Sequence, residues 1–404
     1  MRVHVLTSLF PSREAPFEGI FAARKWSEFA ARGHDVRVVA PVPWAPRVLA
    51  PLLGPARARA ARTERRGASL GVEAVRPRYL HVPKRGAGNA RSFARVGAPR
   101  VLEGAPDAVV IDYAWPGAAA VEEVLRAGVP CVVNGRGSDV LQVQGLPSLR
   151  AELAGGLARA SALTAVSQDL LDAMVALSLE AGGAAETPAV LTPNGVDGDR
   201  FAPGDRVEAR GRLGQATDGE LVLVVGHLIE RKDPLLALRA FVHAARPGGR
   251  LVFVGRGPLE GAVAAEAERH GVDVQLVGER PPEELADWYR AADLMLLTSS
   301  REGRPNVVLE ALSCGCPVVA TDAGGTAEVL PDHGRMLVID RDPGTVAAKL
   351  TGLLDAPPAP DTLRASVAEL SWGASIDALE GLLSSLIEAR RSTGTASDEA
   401  DTTR

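Results

Sequence analysis

The segment from Leu294 to Leu330 holds two carboxylates, Glu302 and Glu310, with Gly303, Arg304, Pro305, Asn306 and Val307 in the stretch between them. A run of apolar residues ends near Thr298, and Pro305 suits the first turn of a helix, where its missing N–H costs nothing. Glu310 then falls about a turn and a half into that helix. The N–H groups from Gly303 to Val307 precede the first intrahelical bonds. With the helix dipole they form a seat for a phosphate or for sugar hydroxyls. Carboxylates repel phosphate but accept hydrogen bonds from vicinal hydroxyls, so acids on either side of an anion seat fit a sugar nucleotide.

Other residues of chemical interest stand at strand ends. Gly226, Arg231 and Lys232 follow the apolar run Leu221–Val225. Gly19 opens a helical pattern after a strand and a proline-rich loop, a place suited to phosphate or acceptor contact. In Asn134-Gly135-Arg136-Gly137-Ser138-Asp139, Arg136 carries a fixed charge suited to an acceptor or a leaving phosphate but cannot shuttle a proton near neutral pH. Asp139 is a candidate to orient Arg136, to touch the acceptor or to cap a helix. Tyr113 and Trp115 end another strand and are candidates either to stack on an acceptor sugar or to plug the core. Cys314 and Cys316 read as packing rather than zinc ligands, since one soft pair lacks partners. The Asp197/Asp199 and Asp340/Asp342 pairs are taken as coincidental, so no metal site is expected.

The elements that must position these residues alternate. Apolar strands at Val3–Leu9, Val36–Ala40, Val72–Val75, Ala108–Asp112, Cys131–Asn134, Leu163–Val166 and Ala189–Leu191 are separated by stretches of helical length such as Ile20–Arg32 and Gly117–Ala127. The pattern restarts at Leu221–Val225 and continues through Leu251–Val254, Val274–Val277, Leu294–Leu297, Pro317–Thr321 and Met336–Ile339. Near-continuous apolar strands with helices between them predict parallel sheets covered on both faces. The expected division is an N-terminal unit over 1–200, a C-terminal unit over 201–375, a helix over 376–391 that packs back on the N-terminal unit, and a disordered tail over 392–404. Two doubly wound units offer a ligand cleft at the carboxyl ends of their strands.

Charge is unevenly spread. The 404-residue chain has a formal net charge of -5, yet residues 56–100 hold 12 Lys or Arg against Glu64 and Glu73. The basic run from Arg57 to Arg100 follows the apolar stretch Val48–Leu53, a combination that would dock on anionic lipid head groups at about 1 kcal/mol per basic residue; an anionic acceptor or a solvated arginine face are the competing readings. The overall acidic balance argues against a nucleic-acid partner. Three cysteines are too few for a disulfide framework, which points to a reducing, cytoplasmic setting. Met1 to Leu6, interrupted by Arg2 and His4, reads as a strand rather than a secretory leader. The longest apolar runs fall far short of the roughly 20 residues that span a bilayer.

Glu302 and Glu310 with Gly303, Pro305 and Asn306, followed by Ala311-Leu312-Ser313-Cys314-Gly315-Cys316-Pro317-Val318-Val319-Ala320, resemble the signature of the retaining family 4 glycosyltransferases. The likeness extends to Asn194-Gly195-Val196-Asp197, to Gly226–Lys232, to Val254-Gly255-Arg256-Gly257-Pro258 and to Gly33-His34-Asp35-Val36, and covers roughly residues 1 to 390. It implies an α/β, GT-B fold, two Rossmann-like domains facing each other across a cleft. It implies transfer of a hexosyl unit from a nucleoside diphosphate sugar, as co-substrate, to a glycan or lipid-linked acceptor at the inner membrane face, with no cofactor and no metal. Glu302 would hold hydroxyls of the donor sugar, Glu310 the nucleotide ribose, Arg231 and Lys232 the diphosphate, and Gly226 would let its loop approach the donor. The chain departs from the family pattern at Glu18, where a second glycine is usual, and at Arg136, where a histidine is usual. Two other functions compete. A sugar-nucleotide epimerase of the same fold would need an acid and a base in the first half, where Asp139 stands without a histidine. A non-catalytic nucleotide-sugar-binding subunit would show a broken donor motif, and this motif is intact.

Overall fold

The computed structural model describes residues 1–44, 54–143 and 145–401, the stretch 393–401 by its backbone alone. The chain divides into two compact units, Met1–Pro193 with Ser375–Arg404, and Asn194–Ala374. The crossings thus lie at Pro193/Asn194 and Ala374/Ser375 rather than at the expected 200/201 and 375/376. The shift at the first has a physical cause. Val196 N–H donates to Leu370 O at 3.0 Å, and fully buried Phe201 meets Tyr289 edge-on at 6.0 Å, so residues 194–201 are built into the second unit.

In the first unit the strands are β1 (Arg2–Leu6), β2 (Asp35–Val39), β3 (Val42–Pro43), β4 (Arg66–Ser69), β5 (Val72–Val75), β6 (Arg78–Tyr79), β7 (Ala108–Asp112), β8 (Cys131–Gly135), β9 (Ala162–Ala165) and β10 (Ala189–Leu191). Among the described residues they form an eight-stranded sheet in the order β10-β9-β8-β7-β1-β2-β5-β4 and a small β3–β6 pair. Every pairing is parallel except β4 with β5. The chain starts at β1, builds outward through β2, then resumes on the other side with β7, which puts the topological switch point between β1 and β7. Strands such as β7 and β8 are buried along their whole length, which is why they read as unbroken apolar runs.

The C-terminal helix, Trp372–Asp401, sends Ile376, Leu379, Leu382, Leu383 and Ile387 into the first unit's core against Val3, Val5 and Trp26. Arg32 pairs with Asp377 and with Glu380, and His34 with Glu380 at 3.0 Å. The stretch expected to be a disordered tail instead continues this helix backbone to Asp401, while 402–404 lie outside the described residues.

The basic run is less of a free surface than its composition suggests. Arg76 is buried, 3.1 Å from Glu64 and donating to Pro11 O; Arg78 donates to the carbonyls of Ala60 and Thr63. Arg57 donates to His81 O at 3.1 Å, Arg59 lies 3.3 Å from Glu18, and Arg62 lies 2.8 Å from Glu14. These side chains tie the helix Pro55–Arg62 to β6, to His81 just beyond it and to the segment that carries Glu14 and Glu18, while Arg76 reaches Pro11 in that segment. Lys84, Arg85, Arg91 and Arg95 remain exposed, and exposed Trp44, Leu80 and Val82 lie at or just beyond the ends of the β3–β6 pair. The apolar stretch Val48–Leu53 falls outside the described residues.

In the second unit β11 (Leu221–Val225), β12 (Arg250–Val254), β13 (Asp273–Gly278), β14 (Leu294–Leu297), β15 (Val318–Thr321) and β16 (Leu337–Val338) form, among the described residues, an all-parallel six-stranded sheet in the order β13-β12-β11-β14-β15-β16. Its switch point lies between β11 and β14. The strand bounds match the sequence expectation to within a residue or two, the largest trim in this unit being at Met336–Ile339, where Met336 ends a short helical turn.

The docked C-terminal helix gives the first unit a testable dependence. Leu383→Ala deletes a fully buried side chain from that core and is expected to cost about 2–5 kcal/mol, read as a fall in the urea midpoint; an unchanged midpoint would mean the helix contributes nothing to the first unit.

Candidate functional site

The loops that leave β11 and β14, on either side of the second switch point, carry the charged residues of interest. After β11 the chain turns at Gly226 and reaches a short 3-10 turn, Glu230–Lys232. Gly226 has φ 145°, and a Cβ built there would lie 3.7 Å from Lys232 Cε. After β14 the chain passes through Thr298, Ser299 and Ser300 to Glu302, then enters the helix Asn306–Ser313. The two loops are laced together. Thr298 Oγ1 donates to Asp233 O at 2.8 Å, Ser300 N–H to Arg231 O at 2.8 Å, and Arg341 to the Asp233 carboxylate at 2.8 Å. Asp233, at φ 46°, accepts from Leu236 N–H at the start of the next helix. A Cβ on Gly255 would lie 2.0 Å from Gly226 O, so the loop after β12 can approach this turn so closely because it has none.

This lacing holds two cations against one buried acid. Lys232 Nζ lies 2.6 Å from Glu302 Oε1 and Arg231 NH1 lies 3.4 Å from Oε2, while Ser299 Oγ donates to Oε1 at 2.5 Å. Burial pushes the Glu302 carboxyl up, but the Lys232 ammonium, its hydrogen bond, the Ser299 hydroxyl and Arg231 together outweigh that and hold it below its ordinary value. Glu310, partly buried on the helix, accepts from Tyr289 OH at 2.9 Å. Burial, and then the neighbouring carboxylate, raise that phenol well above its usual range. Asn306 Oδ1 accepts from Asn194 Nδ2 at 3.1 Å. Arg304, by contrast, is buried with its Nε unpartnered among the described residues and its NH1 3.6 Å from Glu328. Gly303 and Val307 are partly exposed and Pro305 is buried. Gly226, Arg231, Lys232 and Glu302 are therefore brought together, and Glu310 is anchored on the following helix by Tyr289.

The first unit also gathers polar groups at the carboxyl ends of its strands, but around residues that sequence reasoning passed over. Asp112, fully buried at the end of β7, accepts from Arg136 Nε at 2.6 Å and NH2 at 2.7 Å, from Trp26 Nε1 at 2.7 Å and from Asn134 Nδ2 at 2.7 Å. Thr164 donates to Asn134 Oδ1 at 2.8 Å, and buried Lys25 donates to Thr192 Oγ1 at 3.1 Å. Arg136 was expected to face an acceptor or leaving phosphate; its guanidinium is instead buried in a bidentate pair with Asp112 and lies over the Phe21 ring at 5.3 Å. Asp139 was a candidate to orient Arg136, but it binds backbone: it accepts from Ala114 N–H at 2.6 Å, Gly137 N–H at 2.8 Å and Arg136 N–H at 3.0 Å. Burial pushes its carboxyl up to about 6 despite these donors. The N-cap of the short helix Ser138–Leu141 is Gly137, and Asp139 lies in its first turn. Tyr113 OH lies 2.6 Å from Ser138 Oγ, and Trp115 packs half-buried against the core. Gly19, at φ 76°, starts the helix Ile20–Ala31, and a Cβ there would lie 2.8 Å from the Leu9 carbonyl.

Comparison with known proteins bears on both units. Residues 205–369 match the family described as Glycosyl transferases group 1, and residues 19–195 match the Glycosyl transferase 4-like domain. The chain is 30% identical over 363 residues to the putative teichuronic acid biosynthesis glycosyltransferase TuaC of Bacillus subtilis, covering 87% of this chain and 88% of that protein. It is 38% identical over 214 residues to the D-inositol 3-phosphate glycosyltransferase of Segniliparus rotundus, a match that takes in 50% of this chain and 47%, about half, of that relative. Among solved structures, sucrose-phosphate synthase from Thermosynechococcus elongatus superposes with a TM-score of 0.75 at 19% identity, over 96% of this chain and 100% of that one. Anabaena HepE in complex with UDP gives 0.69 at 20% identity, over 95% and 100%.

The polar network of the first unit has a pH signature. Burial first, then the Arg136 charge, lower the Lys25 amine from 10.5 to about 7. Between that value and the unfolded value near 10.4, the unfolded chain binds a proton that the native one does not, so stability rises with pH across this window and Lys25 costs most at and below about pH 7. Lys25→Met is expected to be more stable than wild type at pH 6–7, by a margin that shrinks toward pH 10, as read by denaturant titration at each pH. A margin independent of pH would contradict the burial of a titrating amine.

Proposed function

This chain belongs to the family 4 glycosyltransferases, of GT-B fold, and from that premise we propose that it moves a hexosyl unit from a nucleoside diphosphate sugar to a glycan or lipid-linked glycan acceptor. The observation that carries this reading is the Arg231–Lys232–Glu302 cluster at the switch point of the second sheet, beside the N-terminus of the helix that bears Glu310. Arg231 and Lys232 would neutralise the diphosphate, whose charge grows as the bond from the anomeric carbon to its oxygen breaks. The N–H groups around Gly303 to Val307 would take a phosphate oxygen or sugar hydroxyls. Glu302 would accept from the hydroxyls of the sugar and Glu310, held by Tyr289, from those of the ribose.

With these cations in place of a divalent ion, the transfer is proposed to be metal-independent. In the first unit Arg136 is tied to Asp112 and Asp139 to backbone N–H groups, a use of both residues that favours transfer over an epimerase. We therefore place the acceptor proton on the departing phosphate oxygen as the acceptor oxygen bonds the same face of the anomeric carbon, with retention. The names of the two relatives speak of teichuronic acid biosynthesis and of inositol phosphate; both support a phosphorylated or polymeric glycan acceptor for this chain.

Peripheral docking on the inner membrane face belongs to the same proposal. It would use Trp44, Leu80 and Val82 with Lys84, Arg85, Arg91 and Arg95, the exposed part of the basic run. No described helix is long and apolar enough to cross a membrane.

Two outcomes check these statements. Incubated with labelled nucleoside diphosphate sugars, the protein is expected to release nucleoside diphosphate, and Lys232→Ala is expected to lower kcat/KM about a hundredfold or more; unchanged turnover would remove Lys232 from the site. In liposome flotation, binding is expected to require anionic lipid and to fall when Lys84, Arg85, Arg91 and Arg95 become Gln together, by about 1 kcal/mol for each residue near the surface; binding without lipid dependence would remove the membrane reading.

A further inference from the structure

Resting on that reading of the donor site, we propose that the Lys232–Glu302 pair makes the protein discriminate between a nucleoside diphosphate sugar and the nucleoside diphosphate left after transfer. Glu302 is 7% exposed, and three groups compensate its charge: Lys232, Arg231 and Ser299. Two of the three are the cations that a diphosphate would claim. A diphosphate that draws Lys232 and Arg231 toward itself leaves a buried carboxylate with the Ser299 hydroxyl, and an uncompensated buried charge is strongly unfavourable. A glycosyl unit on the diphosphate brings hydroxyl donors to that carboxylate at the moment its cations turn away. A bare nucleoside diphosphate brings none.

The arrangement is fixed tightly enough for this exchange to cost free energy rather than relax away. The carbonyls of Arg231, Lys232 and Asp233 accept from Ser300 and Thr298, and Arg341 grips the Asp233 side chain. On the other side, a Cβ on Gly324 would lie 2.3 Å from Glu302 O, so the segment bearing Glu302 is packed against the loop after β15. The same pair closes the sugar seat to a free monosaccharide, because Glu302 stays engaged with Lys232 until a diphosphate competes for it. Glu302 is thus a specificity-determining residue for the intact donor, and it favours departure of the spent nucleotide.

Two variants should move this discrimination in opposite directions. Dissociation constants for UDP, GDP and ADP and for their glucose conjugates are measured by calorimetry on the full chain, with thermal melts confirming that each variant is folded. In wild type the conjugate that binds is expected to bind more tightly than its bare diphosphate. Glu302→Gln removes the buried charge that holds Lys232 and is expected to tighten the bare diphosphate about tenfold, bringing the two constants together. Ser299→Ala removes the partner that, among the described residues, Glu302 keeps and is expected to weaken the bare diphosphate more than the conjugate, widening the gap. The proposal is overturned if folded Glu302→Gln binds the bare diphosphate no more tightly than wild type, or if Ser299→Ala weakens both ligands equally. If wild type binds none of the six, the donor-site reading itself fails and the discrimination falls with it.

Discussion

A carboxylate taken out of water must be met by positive charge, and in the second unit the local structure around Glu302 answers that requirement. Lys232 and Arg231 are the answer, and the hydrogen bonds from Thr298, Ser300 and Arg341 hold the turn that presents them. The sheet supplies the rest. Parallel strands buried on both faces leave no polar surface along their length, so charged groups can gather where the strands end, and the switch point between β11 and β14 leaves room there for the two loops to meet.

The first unit solves the same problem differently. Asp112 sits at the end of a strand that is otherwise apolar, and it draws in Arg136, Trp26 and Asn134, while burial and the Arg136 charge push the Lys25 amine down against the opposing pull of Asp112. Arginine in this place forms a planar two-bonded match with a carboxylate. A residue so held ties the Gly135–Asp139 loop to the end of β7. The two units thus share an architecture but differ at their strand ends, one gathering a network around Asp112 and the other two cations on Glu302.

Much of this was legible in the sequence because the fold depends on periodicity. The apolar runs marked nearly every strand of the second unit to within a residue or two, and Glu302, Glu310, Arg231 and Lys232 stood out by spacing and by their place after strands. What escaped was long-range. Asp112 and Asn134 were visible as polar endings to apolar strands, a signal that could have flagged them, but nothing local to Lys25 or Thr192 says that residues so distant in sequence meet. In the basic run a count of charges does not tell which are spent: Arg76 and Arg78 are taken up by a carboxylate and by carbonyls in the packing of irregular structure. The crossing at Pro193 was misplaced because Phe201, near a turn signal, packs on Tyr289 far along the chain.

As proposed, Arg231 and Lys232 of the second unit hold the diphosphate of a sugar nucleotide. Phosphorus NMR of a nucleoside diphosphate glucose in metal-free buffer tests it most directly. Both phosphorus resonances are expected to shift on addition of wild-type protein and to stay at their free positions with Lys232→Met, whereas equal shifts with both proteins, or no shift with wild type for any nucleotide base, would contradict the account.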